Sequence, residues 1–267
     1  GNQAYYARGG GVAASGGSVS VIGSTISNNE ARFGGGLWSL AGSVYISNST
    51  IGDNSADADG GGLAISGAVS ATVSDSTISG NTANDDGGGV WNYGSSFDLI
   101  NTTVTNNSAK DHGGGLALYG GPMTLTNVSV TGNTANNGSN KGRGGGIYFV
   151  GEGYYLSNGT LDISDSEISD NSARDYAGGV SARYGTVTVS NSTISGNTVQ
   201  WNDGGGLRTY NSDVYINDST LSNNTAYNGW GGGLRAYGGS LEVSASTING
   251  NSANYGGGLG LGSAAAS

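Results

Sequence analysis

Glycine triplets recur along this chain at a nearly fixed interval, and that interval constrains the fold more than any other feature. The triplets end at Gly11, Gly36, Gly62, Gly89, Gly115, Gly146, Gly206, Gly233 and Gly258, with Gly178-Gly179 standing in for one more. Most steps are 25–27 residues. Eighteen residues after nearly every triplet stands an Asn: Asn29, Asn54, Asn107, Asn133, Asn197, Asn224 and Asn251, with Asn81 one residue later and Asn171 displaced by an insertion. A constant offset between two landmarks means one structural unit repeated, and a period of this size marks stacked repeats. Gly makes up 54 of the 267 residues. Each loses more backbone entropy on folding than any other residue, so the compensating order has to come from the repeat.

Between the landmarks the unit approximates GGG-L-x-x-x-G-S-V-x-I-S-N-S-T-I-S-G-N-T-A. Val19/Val21, Val44/Ile46, Phe97/Leu99, Met123/Leu125, Leu161/Ile163, Val187/Val189, Val214/Ile216 and Leu241/Val243 place apolar residues two apart, on one face of a strand. The residue three before each Asn (Ile26, Ile51, Ile78, Val104 and their equivalents) and the one after each triplet (Leu37, Leu63, Val90, Leu116 and theirs) supply two more walls. About three short strands per coil are therefore expected. No stretch carries helical spacing, and turns recurring once per unit do not make hairpins. Stacking coil on coil pairs like with like at the strand spacing and makes each inward column continuous.

The expected fold is all-β: a single-stranded parallel β-helix, or β-solenoid, of roughly ten coils, about 45 Å long at the sheet spacing. The preference of parallel crossovers for one hand makes it right-handed. Residues 1–267 form one such solenoid, entered and left in mid-coil, with insertions near 136–143 and 151–159 that project as loops. The column Asn29, Asn54, Asn81, Asn107, Asn133, Asn171, Asn197, Asn224 and Asn251 is expected to form an amide ladder, each side chain bonding its neighbours above and below. The Ala after each Asn-Thr suits a place with little room.

Net charge is −10 with only nine Lys and Arg. No basic stripe is expected from so few cations, which argues against nucleic acid and against an anionic membrane surface. No apolar run reaches the length of a membrane span. There is no Cys, so neither disulfides nor thiolate metal sites contribute. Abundant Ser, Thr, Asn and Gly suit a secreted, extracellular or cell-surface protein. A solenoid left in mid-coil exposes strand edges, and those edges predict end-to-end self-association into a filament.

The paired motifs Gly34 to Leu37 (GGG-L) and Ile51-Gly52-Asp53-Asn54 or Ile194-Ser195-Gly196-Asn197 (I-x-x-N) resemble the GGA-I and F-x-x-N repeats of polymorphic outer membrane protein-type surface adhesins. The resemblance covers essentially the whole chain. It implies a surface-exposed β-helix, non-catalytic and structural or adhesive.

Alternation after the triplet places Trp38, Trp91, Tyr148, Arg208 and Arg235 in one outward column, and Tyr93, Tyr119, Tyr210 and Tyr237 two residues further on. Stacked aromatics stabilise a parallel sheet by themselves, and the same stripe suits sugar rings, making surface glycans the candidate partner. Asp residues gather before the triplets, with Asp59, Asp86, Asp111 and Asp203 as candidate metal ligands; no cofactor is called for, and Ca²⁺ is the ion such oxygens suit. The one His, His112, lies beside Lys110 and Asp111 and one coil from Asp86. Were the chain an enzyme, a polysaccharide lyase or hydrolase, these four would carry the proton transfers. Outward Thr25, Thr50, Thr77, Thr103, Thr193, Thr220 and Thr247 make a ladder that also suits ice. Asn-x-Ser/Thr sequons at Asn48, Asn101, Asn106, Asn127, Asn137, Asn158, Asn191, Asn217 and Asn223 are glycosylation candidates.

Overall fold

A computed structural model of the chain describes residues 1–136, 142–151 and 159–263, and the backbone alone at 265–266. Each coil contains four strands, numbered here as sheets 1 to 4. In one coil these are Thr82–Ala83, Val90–Tyr93, Ser96–Ile100 and Thr103–Thr105. Among the described residues sheets 1, 2 and 3 hold ten strands each and sheet 4 holds nine, all parallel. No helix among the described residues is long and apolar enough to cross a membrane.

The count of four strands corrects the expected three. The additional strand follows the ladder Asn, and in the middle coils it is a two-residue step such as Ser55–Ala56 or Thr82–Ala83, whose inward apolar group is a methyl except at Val199. Ala56, Ala83, Ala109 and Ala135 nevertheless stack in strict register. Sheet 1 needs small side chains because the glycine triplets press directly on it. A Cβ on Gly61 would lie 2.3 Å from the Thr82 carbonyl oxygen and 2.4 Å from that of Gly88. The first Gly of the triplet, such as Gly87, has φ +68° and so takes a conformation that a side chain would strain.

The main core lies between sheets 2, 3 and 4. Leu37, Leu63, Val90 and Leu116 from sheet 2 meet the pairs Val44/Ile46 and Phe97/Leu99 from sheet 3 and Ile51, Ile78 and Val104 from sheet 4. A coil with a weaker pattern, Ala71 and Val73, holds the same register.

The Asn column forms the expected ladder, and its amides are saturated. Asn81 Oδ1 accepts from the backbone N–H and from Nδ2 of Asn54, both at 3.0 Å. Asn81 Nδ2 donates to Asn107 Oδ1 and to the Ile51 carbonyl, both at 2.9 Å. Asn171 holds its rung despite the insertions. A second ladder of hydroxyls runs along the corner between sheets 3 and 4. The Ser49 N–H donates to Ser76 Oγ at 3.0 Å, while Ser49 Oγ donates to the Ser47 carbonyl at 2.7 Å. Thr102, Ser166, Ser192 and Ser219 continue it, and Val128 interrupts it.

Candidate functional site

The four outer faces differ in chemistry. Sheet 1 turns outward residues such as Ser55, Thr82, Ser108 and Thr134. Sheet 4 presents the Thr column, in register but broken by Ser129 and Glu167. Sheet 2 collects aromatic and guanidinium groups. Its first outward column runs Trp38, Ala64, Trp91, Ala117, Tyr148, Ser181, Arg208, Arg235, and its second Leu40, Ser66, Tyr93, Tyr119, Val150, Arg183, Tyr210, Tyr237. The small Ala64, Ala117 and Ser181 are almost wholly covered, because the large side chains on adjacent rungs lean over them.

The N-terminal half of this face combines aromatic and acidic groups. Trp91 stacks on Tyr93 with centroids 5.7 Å apart, and Tyr119 lies 6.1 Å from Tyr93 and 5.8 Å from Tyr148. A hollow of about 170 Å³ opens between Trp38 and Trp91, lined also by Arg8, Phe33, Leu40 and Ser66. Asp59 and Asp86 are half-buried at the turn leading into the sheet. Burial pushes both carboxyls up to about 6, and mutual repulsion with Asp85 and Asp111 adds to the rise. Their oxygens are engaged: Asp59 Oδ1 accepts the Asp86 N–H at 3.1 Å, Asp86 Oδ1 accepts the His112 N–H at 2.9 Å, and Asp86 Oδ2 accepts the Tyr119 hydroxyl.

The C-terminal half combines tyrosine and arginine. Tyr210 and Tyr237 stack at 5.5 Å with planes 4° apart, and Tyr184 meets Tyr210 edge-on at 5.5 Å. Arg208 lies 4.2 Å from the Tyr176 ring centroid and 5.5 Å from that of Tyr210. Arg183 reaches the same Tyr210 ring at 5.5 Å, and Arg235 reaches Trp230 at 5.3 Å.

A family model described as a right-handed beta helix region matches residues 1–161. The chain belongs to the right-handed β-helix family. No curated protein and no solved structure matches it. The hand expected from crossover chemistry is thus the hand of the family.

In this right-handed β-helix the proposed aromatic and arginine residues all occupy one face, as their spacing implied. Arg143, Tyr176, Arg183 and Tyr184 join them. Arg183 was legible, since it stands at the same offset past Gly179 as Tyr210 past Gly206. Arg143, Arg183, Arg208 and Arg235 lie near one another towards the C-terminal end of this face, two of them beside Asp175 and Asp203.

The candidate catalytic group converges less well. His112 donates its backbone N–H to Asp86, but its ring packs 4.4 Å from Tyr148. Lys110 is exposed on the other side of Asp111. Nor do the candidate metal ligands meet. Asp59 and Asp86 occupy the residue before the triplet in successive coils, whereas Asp111 precedes that position and Asp203 holds it several coils away. Among the described residues no three acidic or His groups are placed to hold a metal ion.

Asn48, Asn101, Asn106, Asn127, Asn191 and Asn223 are exposed turn residues with φ between 48° and 56°. Asn tolerates this left-handed conformation better than most residues, so turn geometry accounts for Asn there. Asn217 is half-buried and accepts from Ser244 Oγ at 2.6 Å. Asn137 and Asn158, with most of the two insertions, lie outside the described residues.

Proposed function

We propose that this β-helix is a non-catalytic, extracellular surface element that adheres to carbohydrate through the outer face of sheet 2, in the manner of the polymorphic outer membrane protein-type adhesins its repeats resemble. One observation carries the reading: aromatic and guanidinium groups recur rung after rung from Trp38 to Tyr237 on the face of sheet 2, whereas sheet 4 presents chiefly Thr and Ser and the aromatics of sheet 1 stand only in its first two and last two strands. Aromatic faces stack on the C–H faces of sugars, and guanidinium groups donate to their oxygens. An open face along a rod suits a polymer better than a small molecule, which favours a concave pocket. The Ser-, Thr- and Asn-rich composition without Cys supports placement outside the cell.

Affinity electrophoresis through gels containing a panel of polysaccharides tests this. Retardation of the wild-type chain by at least one polymer, lost in Trp91→Ala and Tyr210→Ala variants with unchanged far-UV circular dichroism, is the expected result. Equal mobility of all three proteins in every gel rules out the adhesive face.

A second reading, cleavage of polysaccharide, is favoured by the Asp59 and Asp86 carboxyls, both raised into the range where a group serves as acid or base near neutral pH. Against it, both Asp86 oxygens are occupied by the protein's own donors. Release of reducing ends or unsaturated products, abolished by Asp86→Asn, would establish this reading instead.

End-to-end association belongs to the same proposal. Rods longer than a single chain in negative-stain images support it; a monodisperse monomer at high concentration refutes it.

A further inference from the structure

Four arginines share the C-terminal half of the sheet 2 face, and among the described residues two of them have a carboxylate within 4.0 Å. Arg143 Nε lies 3.5 Å from Asp175 Oδ2, and Arg235 Nε lies 3.7 Å from Asp203 Oδ2. Arg183 and Arg208, on the two rungs before Arg235, have no carboxylate within 4.0 Å among the described residues. The Nε–H of each is buried without an acceptor, as is that of Arg235, so the carboxylate nearby is what distinguishes Arg235 from the other two. Burial lowers the Arg208 guanidinium below its ordinary value, and the charges of Arg143 and Arg183 act in the same direction. Packing against Tyr176 and Tyr210 offsets part of this cost. It leaves donors unused, because a ring face takes up charge but not a fork of N–H groups.

A chain of net charge −10 has acidic side chains to spare, and on this very face it supplies two of them to Arg143 and Arg235. Burial disfavours the charge of Arg208, which therefore gains from an anion arriving from outside, whereas at the neighbouring Arg183 burial is outweighed by Tyr148 and Tyr184, which hold it above its ordinary value and keep it charged for the same anion. Beside them, the stacked Tyr210 and Tyr237 present a platform whose Tyr237 end is exposed.

We propose that Arg183, Arg208 and Tyr210 form a subsite for the anionic substituent of a sugar in a polysaccharide lying along sheet 2. This rests on the carbohydrate reading of the face and adds the class of ligand. The guanidinium fork matches the paired oxygens of a carboxylate or a sulfate ester, and the sugar ring takes the tyrosine. Asp59 and Asp86 at the other end of the face carry the opposite sign when ionised. An acidic sugar is therefore directed to the C-terminal half, and a neutral one is accommodated by Trp38 and Trp91.

Isothermal titration with polygalacturonate, dextran sulfate and neutral dextran, on wild-type, Arg208→Gln and Arg208→Lys proteins of unchanged circular dichroism, tests the subsite. The wild type is expected to bind one anionic polymer at least tenfold more tightly than dextran. Arg208→Gln loses that preference while keeping its affinity for dextran, and Arg208→Lys, which keeps the charge but not the fork, falls between. Preference for polygalacturonate assigns a carboxylate, and preference for dextran sulfate assigns a sulfate ester. An Arg208→Gln protein that retains the full preference overturns the subsite. So does a wild type that binds dextran and the anionic polymers alike, and in that case the carbohydrate face stands. A wild type that binds none of the three overturns both, and one that prefers a DNA duplex to either anionic polysaccharide overturns the assignment in favour of a phosphate backbone.

Discussion

Replacing Asn107 by Ala removes four hydrogen bonds from the interior of the amide ladder. Asn107 Oδ1 accepts from the N–H and from Nδ2 of Asn81, and its own Nδ2 donates to the Ile78 carbonyl and to Asn133 Oδ1, all between 2.9 and 3.0 Å. The Asn81 N–H is left buried without that acceptor, at a cost of about 1–3 kcal/mol, and each of the other lost bonds adds about 0.5–1.5 kcal/mol. Relaxation recovers part of this, so a loss of about 4 kcal/mol is expected by those values. Asn251, at the end of the ladder, is only partly buried. Water can replace its bonds to Asn224 and Leu221, and Asn251→Ala is expected to cost about 1 kcal/mol by the same scale. Urea titration followed by far-UV circular dichroism measures both. In a solenoid an interior rung supports neighbours on two sides and an end rung on one, so the difference between the variants matters more than either value. Equal losses, or a loss below about 1 kcal/mol for Asn107→Ala, would refute the view that saturated amides hold the coils in register.

Two further predictions concern stability. Asp59 and Asp86 titrate near 6 in the fold against 3.8 ordinarily, so folding favours their protonated forms. The stability they contribute is fully present below about pH 4 and is lost as pH rises through 6. His112, Asp85, Asp111 and Tyr119 face the pair. The comparison is therefore between proteins: Tm should fall less from pH 5 to 7 in an Asp59→Asn/Asp86→Asn variant than in the wild type, and identical slopes contradict the assignment. Ala177 takes the first position of a triplet at φ +50° and is buried. Ala177→Gly should raise stability by about 1 kcal/mol by removing that strain. Gly88→Ala, whose Cβ would sit 2.4 Å from the Gly114 carbonyl oxygen, should cost about 3 kcal/mol or more; calorimetric scans that show the opposite order contradict the packing described.

Much of this fold was legible because a solenoid writes each structural position many times. Leu37, Ile46 and Ile51 mean little singly, but their recurrence at fixed offsets marks three inward columns, and the Asn column is visible for the same reason. Sheet 1 was not legible, since a two-residue strand packed against glycine backbone leaves only one Ala per coil as its signal. The hydroxyl ladder was hidden by composition: Ser49, Ser76 and Ser192 look like any other Ser in a Ser-rich chain. On the candidate site, alternation placed Trp91 and Tyr210 on one face. It did not show that Asp59 and Asp86 would be half-buried there, nor that Arg143 and Tyr176 would join the arginines of sheet 2. Those facts depend on how far side chains lean across rungs, over Ala117 or Ser181, and the repeat pattern carries no record of that.

The adhesive role of the sheet 2 face is tested most directly by comparing opposite faces of the same rod. Affinity electrophoresis against a retaining polysaccharide should show binding abolished by Trp91→Ala/Tyr210→Ala and unchanged by Thr103→Ala/Thr193→Ala on sheet 4, with all proteins equally folded. Loss of binding in the threonine variant, or retention of binding in the aromatic one, contradicts the account.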